Sequence, residues 1–142
     1  MAEKKKKEKV IIATGQRKNA IARAIIKEGK GRIKVNSEPL ELWTNELMRM
    51  RVKEAILLAG DVALKADVNV EVRGGGTTGQ SDAVRMAIAR AFVIFSKDKK
   101  LKERYLQYDR NMLVSDPRRN EPHHAGGASR RGSRRHKQRS KR

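Results

Sequence analysis

The sequence has no cysteine, few aromatic residues and no long apolar run. Without cysteine the chain can form neither disulfides nor thiolate metal sites. No run approaches the roughly 20 apolar residues that span a bilayer, so no membrane partner is expected. The lysine-rich start of the chain is not followed by an apolar segment long enough for a secretion signal. These absences favour an intracellular protein that is either soluble or bound to a large complex.

Acidic residues are also scarce compared with basic ones. The 142-residue chain has 16 acidic and 35 basic residues, a formal charge of +19. Its length fits one domain with extensions, and we predict a flexible basic arm at 1–9, a globular domain at 10–116 and an extended tail at 117–142. All three segments are net positive. Self-repulsion on this scale is tolerated mainly when a polyanion neutralises it, so a nucleic-acid partner is expected.

The C-terminal tail is the most basic part of the chain. Residues 117–142 hold ten Arg or Lys and one acid, Glu121, and apart from two prolines their only apolar residues are Ala125 and Ala128. Such a segment cannot bury enough apolar surface to order itself, so we expect it to be disordered alone. Eight of its cations are Arg, whose planar fork grips phosphate through two hydrogen bonds. The composition predicts a nucleic-acid arm, and the alternative is a solvated tail or localisation signal.

The spacing of apolar residues predicts strands, a helix, a strand and further helices, in that order. Strict alternation and β-branched residues indicate strands, the first three forming an antiparallel meander, at 10–16, 21–27, 32–36 and 68–72. Apolar residues three and four apart indicate helices at 38–59, 80–95 and 98–108. We expect Met112–Val114 to anchor the chain before the tail. This order predicts an α/β (α+β) fold, a two-layer sandwich whose helices cover one face of a mixed sheet.

Two glycine-containing basic segments are candidate phosphate sites. Arg73–Gln80 has four glycines between a strand and a helix, which lets backbone amides approach a phosphate, although a tight connecting turn is the alternative. The segment lacks the Lys-Ser or Lys-Thr of a nucleotide-binding loop, so no nucleotide cofactor is expected. Arg17 and Lys18 follow Gly15 at a strand end, with Arg23 nearby, and they can hold phosphates on a rigid frame. An ordinary basic hairpin is the alternative.

No constellation for catalysis or metal binding is visible. The three histidines, His123, His124 and His136, lie in the tail without cysteine or clustered carboxylates, which makes a poor metal site. The acidic residues are scattered among basic neighbours, and no nucleophile lies beside a base. We therefore expect no enzyme activity, no cofactor, no metal and no small-molecule substrate.

The few aromatic residues constrain how RNA would be recognised. They are Trp43, Phe92, Phe95, Tyr105 and Tyr108, and the predicted strands contain none of them. A platform for stacking single-stranded bases needs several exposed rings on strands. Recognition is therefore expected to use the backbone and shape of folded RNA.

Four segments of the chain are distinctive in combination, namely Gly15–Arg23, Gly29–Asn36, Val70–Gln80 and the closing Ser140-Lys141-Arg142. Together they resemble the family of the universal ninth protein of the small ribosomal subunit. Tyr108-Asp109-Arg110 together with Asp116-Pro117-Arg118-Arg119 is similar to the archaeal or eukaryotic-type branch, with archaeal favoured. The resemblance implies a left-handed β-α-β crossover. It also implies a structural protein of the subunit head on cytoplasmic ribosomes, with neighbouring head proteins as partners.

The resemblance also implies two sets of RNA-contacting residues. Those expected at small-subunit ribosomal RNA are Arg17, Lys18, Arg23, Arg73, Gly75, Gly76, Thr77, Arg110, Arg118, Arg119, Arg130, Arg131, Arg134 and Arg135. Those expected at the anticodon stem-loop of the peptidyl-site tRNA are Ser140, Lys141 and Arg142. Two alternatives remain open at this point. One is a protein subunit of a ribonuclease P type tRNA-processing particle, and the other is a basic DNA-binding protein.

The charge distribution generates the first prediction, which concerns salt. The isolated chain should bind folded RNA with log K falling by roughly 0.7 to 0.9 per phosphate neutralised for each tenfold rise in salt. Filter binding from low to physiological salt measures the slope. A truncated chain ending at Asp116 is the control, and its slope should be shallower because ten cations are removed. An affinity that does not change with salt would contradict the electrostatic argument.

Overall fold

One five-stranded sheet forms the frame of the computed structural model, which describes residues 10–119. The strands are β1 (Ile11–Arg17), β2 (Ala20–Glu28), β3 (Ile33–Val35), β4 (Glu38–Pro39) and β5 (Ala66–Arg73), and their order across the sheet is β1-β2-β5-β3-β4. The helices are α1 (Glu46–Ala59), α2 (Asp61–Leu64), α3 (Thr77–Ser96) and α4 (Lys99–Tyr108), followed by a 3-10 turn, Arg110–Met112.

The strands alternate between a buried and an exposed face, as their sequences require. In β2, Ala22, Ala24 and Ile26 are fully buried against the helices, while Arg23 between them and Lys27 after them are exposed. Helices therefore cover one face of the sheet and leave the other open and mostly polar. The predicted α+β sandwich with a mixed sheet is confirmed, because β3 pairs with β5 in parallel and the other pairs are antiparallel.

The predicted meander of the first three strands is wrong. β5 lies between β2 and β3, so β2 and β3 are not neighbours. The carboxylate of Asp67, at the start of β5, accepts hydrogen bonds at 2.9 Å from the backbone N–H groups of Lys30 and Arg32, and one from the Arg32 guanidinium at 2.7 Å. These bonds hold the pKa of Asp67 well below its usual range, chiefly through the Arg32 side chain. They turn the chain away from β2 and direct β3 along β5.

The first helix starts later than the predicted residue 38. Glu38 and Pro39 instead pair with β3 as strand β4, and Thr44 adopts a left-handed φ of 53°, which a helix does not accommodate. Leu40 and Trp43 are nonetheless buried, with 6% and 7% of their surface exposed. The spacing of Leu40 and Trp43, which predicted a helix, therefore comes from two core residues in the turn between β4 and α1.

The predicted β-α-β connection, the main helix and the anchor before the tail are present in the structure. β3 and β5 are parallel and are joined through β4, α1 and α2, which forms a β-α-β connection. The left-handed sense of this connection, which the resemblance implies, stays a prediction. α3 begins at Thr77, three residues before the predicted start at Gln80, and Met112 is fully buried as the expected anchor. Within residues 10–119 no helix is long and apolar enough to cross a membrane.

α3 is the central element of the core. Its apolar stripe, including Val84, Ile88 and Phe92, is fully buried between the sheet and the other helices. α4 packs beside it, and the hydroxyl of buried Tyr105 donates a 2.6 Å hydrogen bond to the Ala55 carbonyl on α1. Burial raises the pKa of Tyr105, which keeps its hydroxyl a hydrogen-bond donor.

The backbone of β1 meets that of α3 at Gly15. A Cβ atom there would lie 2.3 Å from the Ala83 carbonyl oxygen and 2.6 Å from the Ala87 nitrogen. Both are backbone atoms of a long helix and cannot rotate away. Gly15 is therefore required by packing between the sheet and its main helix.

Gly15→Ala should destabilise the domain by about 3 kcal/mol, since the strand and helix must separate to admit one methyl group. Urea unfolding followed by circular dichroism measures the loss. Gly76→Ala is the matched control, because a Cβ at Gly76 meets nothing within 4 Å. Its cost should stay below about 1 kcal/mol, the range for a change at a helix N-cap. Equal losses in the two variants would contradict the packing argument.

Candidate nucleic-acid interface

Three basic segments that are distant in sequence meet at one end of the sheet. They are the turn between β1 and β2, the glycine loop before α3, and the start of the tail. We call this region the basic corner and define it as residues 17–19, 73–77 and 116–119.

The glycine loop packs directly on the turn. A Cβ at Gly74 would lie 2.5 Å from the Asn19 carbonyl oxygen, and one at Gly75 would lie 3.0 Å from the Ala20 nitrogen. Both glycines also adopt left-handed φ angles, 77° and 68°. Close packing and backbone conformation therefore account for these two glycines without any ligand.

Gly76 differs from its neighbours because the fold does not require glycine there. Its φ is −106°, which any residue can adopt, and open space surrounds it. It is the N-cap of the 20-residue helix α3 and provides no side-chain cap for the first amides. Those amides and the helix dipole attract an anion. A missing side chain at this place lets a phosphate oxygen approach the backbone closely.

Arg90 on α3 anchors the chain just before the tail. Its guanidinium donates to the Leu113 carbonyl at 2.8 and 3.0 Å, to the Ser115 hydroxyl at 3.0 Å and to the Thr14 carbonyl at 2.6 Å. Partial burial lowers the pKa of Arg90. One side chain thus joins β1, α3 and the segment that leads into the tail.

Asp116 makes the second anchor, at the corner itself. Its carboxylate accepts a hydrogen bond from Arg17 at the end of β1 and another, at 2.9 Å, from Arg118. The pKa of Asp116 lies well below its usual range, first because of the Arg118 hydrogen bonds and also because of Arg17. Arg17 lies 3.7 Å from Asp82 on α3 as well. The first residues of the tail are therefore fixed to the domain.

A polar cavity of about 460 Å³ lies behind this anchor, between α1, α3 and the end of α4. Arg85 crosses it and pairs with Glu54 at 2.8 Å and with Asp109 at 3.0 Å. Arg51 pairs with Asp82 at 3.1 Å on the same wall. The Nε atom of Arg85 is buried and has no hydrogen-bond partner within residues 10–119. These paired charges connect α1 and α3 to Asp109, just after the end of α4.

The structure separates the predicted site residues into two groups. Arg17, Arg23 and Arg118 form ion pairs with acids of the same chain, and Arg23 does so with Glu71 on the open sheet face. Within residues 10–119 a second set of predicted cations is exposed without an acidic partner, namely Lys18, Arg73, Arg110 and Arg119. The predicted positions Gly75 and Gly76 are exposed in the glycine loop, and Thr77 is exposed as the first residue of α3. The remaining predicted positions lie outside the described residues, namely Arg130, Arg131, Arg134, Arg135, Ser140, Lys141 and Arg142.

Sequence reasoning missed two residues that position this interface, Asp116 and Arg90. Asp116 lies 99 residues from Arg17, and no local pattern links them. A weak signal existed for Arg90, since an arginine in the middle of an apolar helix needs buried or half-buried acceptors.

Proteins with related sequences indicate the family of this chain. The family model described as ribosomal protein S9/S16 matches residues 15–142. The small ribosomal subunit protein uS9 of the archaeon Pyrobaculum aerophilum is 50% identical over 113 residues, which cover 80% of each chain. Both comparisons agree with the family that the motifs resembled, and the archaeal relative agrees with the archaeal-type branch.

The anchor at Asp116 generates a prediction on pH. Asp116→Asn should increase amide exchange at 113–116 severalfold, because the ion pair with Arg17 is lost. The stability difference between wild type and variant should be full above about pH 4, the ordinary pKa of aspartate, and should shrink at lower pH as Asp116 becomes protonated. Hydrogen exchange and thermal unfolding at several pH values measure both effects. Arg23→Gln, which breaks the exposed pair with Glu71, is the control and should leave exchange at 113–116 unchanged.

Proposed function

The chain belongs to the ribosomal protein S9/S16 family, and from this premise we propose where it binds in the small ribosomal subunit. As a member of the family it is a structural ribosomal protein and not an enzyme. In our proposal the basic corner binds ribosomal RNA of the subunit head, in the cytoplasm. The tail passes from that corner to the peptidyl-site tRNA, where Ser140, Lys141 and Arg142 contact the anticodon stem-loop.

The observation that carries the proposal is the fixed start of the tail at the basic corner. Asp116 is held by Arg17, and Arg90 holds the Leu113 carbonyl. The chain therefore leaves the domain beside its own phosphate-binding candidates. Twenty-six residues follow from Pro117, and fully extended they reach roughly 85 Å at about 3.3 Å each. A domain of this size has a radius of gyration of about 13 Å, so the tip can contact a site that the domain cannot reach.

The exposed cations of the corner support RNA contact there. Lys18 sits at the tip of the turn with a left-handed φ of 54°, so its side chain projects from a strained two-residue connection. Arg73 ends β5 next to the glycine loop, and Arg119 continues the tail. Since no acid within residues 10–119 pairs with these three, their charges are available to phosphates.

The aromatic residues support recognition by shape. Trp43, Phe92 and Tyr105 are buried in the core, and no strand of the described domain has an aromatic ring. A stacking platform for bases is thus absent from the sheet of residues 10–119. Backbone contacts and the geometry of folded RNA remain as the means of recognition.

The family favours this function over the two alternatives. A tRNA-processing subunit or a DNA-binding protein was compatible with the charge and the fold. The match to the family, however, extends to residue 142 and so includes the tail. A tail that belongs to the family's common sequence favours a ribosomal task for it.

The test of the proposed function removes the tip of the tail. Small subunits assembled with a chain lacking Ser140–Arg142 should sediment normally but bind peptidyl-site tRNA about tenfold more weakly, since two charge-assisted contacts are lost. Sucrose gradients and filter binding of tRNA measure the two quantities.

The control removes equal charge from the other end of the chain. Substituting Lys4→Ala and Lys5→Ala deletes two cations as well, and tRNA affinity should not change. Unchanged tRNA affinity in the tip deletion, with normal sedimentation, would refute the role of the tip. Absence of the full-length chain from the small-subunit peak would refute the ribosomal function itself.

A further inference from the structure

An apolar groove of about 500 Å³ opens between α1 and the β3–β4 edge of the sheet. Its floor and walls are formed by five apolar residues, which define the groove, namely Ile33, Pro39, Leu40, Ile56 and Leu57. Leu57, in the last turn of α1, is 78% exposed. Met50, seven residues before Leu57 and therefore on the same side of α1, is 54% exposed. Contiguous apolar surface of this kind marks an interaction site.

The groove is separate from the basic corner. The sheet order places β5 between β2, which forms the turn of the corner, and β3, which lines the groove. On α1 the groove is lined by Lys53, Ile56 and Leu57, whereas Arg51 and Glu54 of the same helix line the cavity behind the corner. The two surfaces can therefore hold different partners simultaneously.

The rim of the groove is basic. Lys53 on α1 and Lys34 on β3 are exposed and line the groove, Lys34 and Arg32 at its border with the open sheet face, while Glu41 is the one acid of the lining. Arg32 forms a 2.7 Å ion pair with Asp67. The two lysines therefore supply the positive charge that is available to a partner. An apolar floor between two lysines is complementary to apolar side chains flanked by acids.

The possible occupants differ in how well they meet this chemistry. RNA phosphates would have to be desolvated against leucine and isoleucine, which is unfavourable. The chain's own tail offers two alanines and ten cations, and a second copy has a net charge of +19, so both are repelled by the rim. Strand addition at this edge is blocked as well, because β4 has only two residues and Pro39 lacks an N–H donor.

We infer that the groove docks a neighbouring protein of the small subunit through an amphipathic segment with apolar side chains between acidic ones. Leu57 and Ile56 supply the apolar contact, and Lys34 and Lys53 select for acidic flanks. The inference rests on the chain's place in the small subunit and is independent of the tail contact with tRNA.

Site-specific photocrosslinking in assembled small subunits tests the inference. A benzoylphenylalanine replaces Leu57 in one chain and Ile94 in another. Ile94 is 47% exposed on α3, and it lies with Ile12 and Thr14 of β1 at the opposite edge of the sheet. Both positions are exposed, so neither change should prevent folding. The Leu57 probe should crosslink to one protein, and mass spectrometry should place the link in a segment with acidic residues beside apolar ones.

A charge variant tests the selectivity of the rim. Lys53→Glu, added to the Leu57 probe, should lower the crosslink yield at least fivefold because it reverses a charge that faces the acidic flank. Lys102→Glu, near Ile94, is the matched control and should leave the yield unchanged.

The remaining outcomes are decisive. A Leu57 crosslink to ribosomal RNA, to a second copy, to the chain's own tail or to a basic protein segment overturns the inference, as does a yield no higher than from Ile94. Crosslinks are counted only in chains that are recovered from the small-subunit peak of a sucrose gradient. Absence from that peak contradicts the ribosomal function instead, so the two failures are distinguishable.

Discussion

The contact between β1 and α3 at Gly15 determines where the other functional elements lie. No side chain separates the two backbones there, since a Cβ atom would overlap the Ala83 carbonyl. Two residues further along β1, Arg17 therefore comes within 3.7 Å of Asp82 on the same helix. Farther along α3, Arg90 reaches back to the Thr14 carbonyl and to the segment before the tail. The turn, the helix N-terminus and the tail meet at one corner because strand and helix touch without a spacer.

The few acidic residues of this basic protein determine which cations face a partner. Asp67 holds Arg32, and Asp116 holds Arg17. Arg85 is held by two further acids, so all three arginines act inside the domain. The 35 basic residues of the chain therefore overstate the number of cations available to phosphates, because several of them pair with acids of the same chain. Among the cations predicted to contact RNA, those exposed without an acidic partner within residues 10–119 are Lys18, Arg73, Arg110 and Arg119.

The elements that follow from local periodicity could be predicted from the sequence, whereas those set by distant contacts could not. α3 was predictable because Val84, Ile88 and Phe92 repeat on one face. The place of β3 was not, because it depends on Asp67 binding the backbone of Arg32, 35 residues away. Within the site, Arg17 and Arg23 look alike in sequence. Their partners lie 99 and 48 residues away, and only the fold shows that one anchors the tail and the other lies on the open sheet face.

The two edges of the sheet bear on how the protein behaves before it meets RNA. At one edge, β4 is two residues long and contains Pro39, and at the other a β1 carbonyl is occupied by Arg90. Long unprotected edges promote polymerisation of sheets between molecules. A ribosomal protein is synthesised apart from its RNA, and during that interval its open sheet face and its groove are uncovered. The short, proline-containing β4 edge and the net positive charge of each copy both disfavour pairing between free chains before assembly.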